Sequence, residues 1–250
     1  MRPLLYIRSA VFNLLYMFWT PFIAFVLLPI GVLGKGNKWQ RIVPVIWAKG
    51  VMLMARWIVG IRYEIRGKDY LIKDRGVLYA CKHQSAWETV VFWLLVETPV
   101  YVLKKELLNI PFFGQYLNYL VHTIAVDRKA GASALKSLIV QTQEHLDAER
   151  QVLIFPEGTR RLVDDEPAYQ PGIAALYNKL GCAVTPVALN SGVLWGRNSF
   201  VKRSGVITIE FLPPIEAGLE RKNFTQTLQN TIEEASNRLA LEAVESIESI

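Results

Sequence analysis

Gly76-Val77-Leu78-Tyr79-Ala80-Cys81-Lys82-His83-Gln84-Ser85-Ala86-Trp87-Glu88-Thr89 begins as a strand and ends inside a helix. Gly76 to Cys81 is a short apolar run, and Trp87 to Leu95 is apolar on all sides, as a helix buried behind a loop would be. Working outward, strand-like runs recur at Val100 to Leu103, Val121 to Ile124, Gln151 to Ile154, Ala183 to Leu189 and Val206 to Phe211. Helical patterns lie between them, at Ala130 to Arg150 and at Pro171 to Leu180, the latter ended by Gly181. Such alternation predicts an α/β domain. The tail from Asn223 repeats apolar residues at Leu228, Ile232, Ala235 and Leu239, which predicts an amphipathic helix packed on the sheet.

The loop after the first strand carries chemistry. His83 and Glu88 lie five positions apart, so an imidazole base and a carboxylate that fixes its tautomer could meet there. No nucleophile is built into the stretch, which points to a hydroxyl of the substrate as the attacking group, and hence to acyl transfer rather than hydrolysis through an acyl-enzyme. Ser85-Ala86-Trp87-Glu88 also fits a capping box, in which Ser85 and Glu88 satisfy the free amides of a helix start. The spacing alone leaves both readings open.

Basic residues follow three other strands: Lys104, Arg128 within Asp127-Arg128, and Arg160 within Phe155-Pro156-Glu157-Gly158-Thr159-Arg160. Strand ends of an α/β sheet are where ligands sit, and the arginine fork suits phosphate oxygens. A surface ion pair explains a single arginine, but three cations gathered behind separate strands call for an anionic ligand.

Taken in order, these segments resemble the glycerolipid acyltransferase family, most closely its bacterial members that act on 1-acyl-sn-glycerol-3-phosphate. The blocks are His83 to Glu88, then Lys104-Lys105-Glu106-Leu107 with Pro111 and Gly114, then Asp127-Arg128, Glu157-Gly158-Thr159-Arg160 and Val184-Thr185-Pro186-Val187. Glu88 stands where the broader family pattern has aspartate; one extra methylene keeps the charge. The resemblance implies a mixed sheet flanked by helices, with His83 and Glu88 catalytic and with Lys104, Arg128, Glu157, Gly158, Thr159 and Arg160 binding substrate. It further implies that His83 deprotonates the sn-2 hydroxyl of lysophosphatidic acid, which attacks the thioester of acyl-CoA or acyl-carrier protein to give phosphatidic acid. Arg160, Arg128 and Lys104 would hold the acceptor's phosphate, amides near Glu157 to Thr159 would face the oxyanion, and Glu157 would hold the acceptor hydroxyl or fix its loop. No cofactor or metal is implied. A different lysolipid acceptor, such as a lyso-ornithine lipid, and a non-catalytic membrane-binding relative are the alternatives; a lipid-ester hydrolase would need a Gly-x-Ser-x-Gly elbow, which is absent.

Composition supports a membrane setting: of 250 residues 52% are hydrophobic, and the net charge is +6. Basic charge alone would suit an anionic leaflet or nucleic acid; the apolar N-terminus decides for membrane and against nucleic acid. Ser9 to Gly34 runs without a charge, long enough to span a bilayer, but Pro21 and Pro29 interrupt it. Ile42 to Ile61 is broken only by Lys49 and Arg56, seven apart and so on one helical stripe, as in a helix lying in the interface. Basic residues flank the first run on both sides, Arg2 and Arg8 before it and Lys35, Lys38 and Arg41 after it, so charge sets no orientation. The reading is a membrane-associated helical hairpin over residues 1–61, dipped into one leaflet and turned by Gly31 to Gly36, followed by an acyltransferase domain over 62–250. Length and the lack of a cleavage site speak against a removed signal. A donor of the acyl-CoA or carrier-protein kind places the domain on the cytosolic side of the inner membrane.

Cys81 and Cys182 are isolated, without metal-ligand spacing, as suits a reducing compartment. His122 and His145 have no partner motif, Asp164-Asp165-Glu166 could pair with Arg160-Arg161 or form a flap, and Trp195-Gly196-Arg197 has no assigned role.

Overall fold

The structure is a computed structural model that describes residues 2–33, 37–110, 114 and 122–248. Pro111, Lys35 and Val121, which figure in the readings above, lie outside the described residues, as does part of the predicted Gly31 to Gly36 turn.

Two long helices come first, α1 (Arg2–Leu33) and α2 (Asn37–Met54), followed by a π-helical turn (Ala55–Val59) and strand β1 (Ile61–Arg66). The apolar run that reads as one helix to Ile61 thus ends early. Gly60 adopts a left-handed conformation, φ 89°, that caps the turn and releases the chain into the strand.

The domain continues with β2 (Val77–Cys81), α3 (Trp87–Leu95), β3 (Pro99–Lys104), β4 (Thr123–Val126) and α4 (Ala132–Asp147). Then follow β5 (Gln151–Ile154), α5 (Pro171–Leu180), β6 (Val184–Leu189), the short α6 (Ser191–Leu194), β7 (Gly205–Phe211) and α7 (Arg221–Glu248). The strand read at Val121 to Ile124 is shifted to Thr123–Val126, and the helix read at Ala130 to Arg150 is trimmed at both ends.

The strands form one sheet in the order β1-β7-β6-β2-β5-β3-β4. Neighbours from β6 to β4 are all parallel; β7 runs antiparallel to β6 and pairs in parallel with β1. The sheet is therefore mixed, with five strands pointing one way and an edge pair reversed. Side-chain alternation sorts each strand between two layers. In β2, Tyr79 and Cys81 join the core that Trp87 and Phe92 of α3 share with Phe12 of α1 and Val51 of α2. Leu78 and Ala80 face the opposite core, built from Leu138 of α4, Leu176 of α5 and Phe224, Leu228 and Ile232 of α7. The predicted tail helix packs as its spacing requires, with Ala235 and Leu239 continuing the contact to Ala188.

The paired helices meet through small and aromatic residues. Trp19 Nε1 donates to the Trp47 carbonyl at 3.1 Å, and Trp47 Nε1 to Thr20 Oγ1 at 3.2 Å. A Cβ at Gly50 would lie 2.4 Å from the Trp19 ring, so only glycine lets the helices approach this closely. The buried stripe of α2, Ala48, Val51, Ala55 and Val59, continues into the turn, while Lys49 and Arg56 are exposed on its outer side.

Candidate active site

Because β2, β3, β4, β5 and β6 are parallel, the residues that follow them converge on one rim of the sheet. His83 follows β2, Arg128 follows β4, Arg160 follows β5, and Lys104 closes β3. His83 Nδ1 lies 2.9 Å from Glu88 Oε1. That same oxygen accepts the amides of Gln84 at 2.8 Å and Ser85 at 2.6 Å, and Oε2 accepts from Ser191 Oγ at 2.9 Å. Ser85 Oγ accepts the Trp87 amide at 3.0 Å. The two readings of Glu88 are therefore one arrangement: the carboxylate caps the loop and orients the imidazole at once. Glu88 is fully buried, so its charge is compensated by these donors rather than by water. With an ionised Glu88 on Nδ1, the proton sits on Nδ1 and Nε2 is left as the acceptor. The ring stacks on Phe155, centroids 3.9 Å apart and planes 17° from parallel. Among the described residues no serine, threonine or cysteine is hydrogen-bonded to Nε2.

Glu157 sits beneath the loop, 1% exposed. Its Oε2 accepts the His83 amide at 2.8 Å, and Lys82 Nζ lies 2.8 Å from Oε1. Lys82 also reaches both oxygens of Glu233 on α7, at 2.8 and 2.7 Å, and Tyr169 donates to Glu233 at 3.0 Å. Burial pushes the Glu157 carboxyl up to about 7, against the opposing pull of Lys82. Of its two expected roles, the geometry matches the fixing of the loop.

A cavity of about 880 Å³ opens at His83. Lys104, Arg128, Gly158, Thr159 and Arg160 line it, together with Arg197 and Arg221, and among the described residues no acidic side chain does. Arg128 Nη2 donates to the Gly158 carbonyl at 2.7 Å, which lays the guanidinium over the turn. Gly158 has φ +66°, the left-handed region that favours glycine, and a Cβ there would meet the movable end of the Arg128 side chain at 2.6 Å. Arg160 Nε is buried and has no acceptor among the described residues. Apolar residues supply much of the remaining wall, among them Pro21, Ile23 and Ala24 of α1, Trp47 of α2, Trp93 of α3 and Leu135 of α4.

The protein-family model that matches this chain is the one described as Acyltransferase, over residues 62–190. The chain belongs to this acyltransferase family. Among its curated relatives, a 1-acyl-sn-glycerol-3-phosphate acyltransferase of Pseudomonas aeruginosa is 39% identical over 171 residues, 68% of this chain and 66% of the relative. The enzyme of that name from Salmonella typhimurium is 31% identical over 64% of each chain. The match thus spans two thirds or less of these relatives' length. A crystal structure entitled 1-acyl-sn-glycerophosphate (LPA) acyltransferase, PlsC, from Thermotoga maritima superposes with a TM-score of 0.71 over 94% of this chain and 98% of that one, at 22% identity, and shows the shared fold.

Several supports of the candidate site escape a reading of motifs. Ser191 holds Glu88, the Gly192 amide donates to Gln84 Oε1 at 3.0 Å, and Asn190 ties β7 to α7 through Thr208 and Leu239. The available signal was position: Asn190-Ser191-Gly192 directly follows β6, as the other site residues follow their strands. Asp164-Asp165-Glu166 forms no ion pair with Arg160 or Arg161 among the described residues; Asp165 instead accepts the Leu162 amide at 2.9 Å. His122 and His145 lie 5.8 Å apart near Arg150, and His122 is pushed down to about 4 by burial and by that cation.

Proposed function

We propose that the protein transfers a fatty acyl group from a thioester donor, acyl-CoA or acyl-carrier protein, to the sn-2 hydroxyl of 1-acyl-sn-glycerol-3-phosphate, giving phosphatidic acid for phospholipid synthesis. The observation that carries this reading is the pairing of the buried His83–Glu88 dyad with a cavity whose charged lining, among the described residues, is basic. His83 Nε2 takes the acceptor's proton as its hydroxyl attacks the thioester carbonyl; the tetrahedral adduct expels the thiolate, to which the imidazolium gives the proton, releasing the free thiol. Glu88 stabilises that imidazolium. Lys104, Arg128 and Arg160 hold the acceptor's phosphate, with Gly158 and Thr159 shaping the turn that carries Arg160. No cofactor takes part. The apolar walls contributed by α1 and α2 suit acyl chains, and the exposed apolar faces of these helices suit attachment to the cytosolic face of the inner membrane as a hairpin preceding the 62–250 domain.

The test is acyl transfer by the full chain in mixed micelles, from long-chain acyl-CoA and from acyl-carrier protein, to lysophosphatidic acid, lysophosphatidylglycerol and lyso-ornithine lipid. Preference for lysophosphatidic acid is expected, lost in His83→Ala. Preference for another acceptor would reassign the basic residues, and no transfer to any acceptor would leave a non-catalytic relative.

A further inference from the structure

Trp195-Gly196-Arg197 has no part in the chemistry above, yet the segment it opens, residues 195–204 between α6 and β7, touches two functional regions at once. On one side it grips α1. Trp195 packs edge-on against Phe12 and Tyr16, centroids 4.9 and 5.9 Å apart; the Lys202 amide donates to Ser9 Oγ at 2.9 Å; and Asn13 Nδ2 donates to the Phe200 carbonyl at 2.8 Å. On the other side, Arg197 Nη1 donates to the main-chain carbonyl of Arg160 at 2.8 Å.

Its own bonds keep the segment in shape. The Ser199 amide donates to Gly196 O at 3.2 Å and the Arg203 amide to Leu194 O at 2.9 Å, while the buried Lys202 ammonium donates to the Ser199 and Phe200 carbonyls and lies 5.8 Å from the Trp195 ring. Arg197 itself pairs with no carboxylate among the described residues and lines the same cavity as His83 and Arg160. β6, which leads to this segment, lies beside β2 on the side opposite β5. The Arg160 turn is thus held from both flanks of His83, by Arg128 from the β4 side and by Arg197 from the β6 side.

We propose that residues 195–204 form a clasp that fixes the Arg160 turn to α1, with Arg197 as a positioning residue that sets where Arg160 meets the acceptor's phosphate. The inference rests on the assignment of Arg160 to that phosphate. A charge-assisted bond to a backbone carbonyl restrains the turn without touching the reacting atoms, so its loss should weaken acceptor binding and spare the chemical step.

The test is steady-state kinetics of the full chain in mixed micelles with donor and acceptor varied separately, alongside thermal melting. Arg160→Ala serves as the benchmark for acceptor binding. Arg197→Ala should raise the acceptor's KM about tenfold, with kcat and the donor's KM within about twofold, and Arg197→Lys should recover part of the loss. Asn13→Ala and Ser9→Ala, both outside the cavity, should shift the acceptor's KM in the same direction by about two- to threefold. If Arg160→Ala raises the acceptor's KM but Arg197→Ala does not, the clasp is overturned and the phosphate assignment stands. A rise confined to the donor's KM would make Arg197 a donor ligand and overturn the positioning role. An effect of Arg197→Ala with none from either α1 variant would overturn the link to α1. Wild-type acceptor KM in Arg160→Ala would overturn the phosphate assignment and the clasp together. Should Arg197→Ala melt, Arg197→Lys and Asn13→Ala carry the same decision.

Discussion

One oxygen of Glu88 collects an imidazole and two main-chain amides, so its position is set by the fold and its charge is available to His83. Glu88→Gln keeps the size and an accepting oxygen but removes the charge that favours the imidazolium. It is expected to melt near the wild type while kcat falls by at least about 10²-fold; a near-wild-type rate would leave Glu88 only its capping role. Glu157 makes a separate prediction through pH. Its folded carboxyl titrates at about 7, above the ordinary 4.5, so the folded state holds a proton that the unfolded chain has released. That contribution to stability is full below the unfolded value and is lost as pH rises through the folded one. Glu157→Gln does not titrate, and its melting temperature relative to wild type should therefore rise between about pH 5 and about pH 8. A difference independent of pH would assign the raised titration to another group.

At the scale of elements, α7 is the brace behind the site. Phe224 is fully buried and stacks on Tyr177 at 3.8 Å, so Phe224→Ala should cost about 3–5 kcal/mol, measured by urea denaturation. The same helix supplies Glu233 to Lys82, the residue directly before His83. Strands β2, β5 and β6 were legible because both of their faces are buried and they read as continuous apolar runs. β1 was not, because Arg62, Glu64 and Arg66 interrupt the pattern of an edge strand whose outer face is exposed, where Arg66 pairs with Glu64 and with Glu242. The motif residues around His83 and Arg160 announced themselves by residue type and order. Ser191 and Glu233 did not, since a serine after a strand and a glutamate on an amphipathic helix are ordinary until folding places them on Glu88 and Lys82.

At the scale of the whole molecule, the polarity is lopsided. Among the described residues α1 exposes Phe18, Phe22 and Phe25 at 61%, 55% and 79%, far more apolar surface than a helix packed in a protein core would show. Replacing all three by serine should leave melting unchanged and lower partition onto phospholipid vesicles by at least about tenfold in flotation; unchanged partition would move attachment elsewhere. The clasp adds a dimension of time. Ser9 and Lys202 are joined across 193 residues of sequence, and at a synthesis rate of roughly 5–20 residues per second the first waits about ten seconds or more for the second to be made. A nascent chain therefore has its apolar helices long before it has the segment that ties them to the Arg160 turn, so the part proposed for membrane attachment is born first and the support of the Arg160 turn last. A ribosome that stalls short of Lys202 would leave a polypeptide with its apolar helices made but lacking the segment proposed to set its anion site.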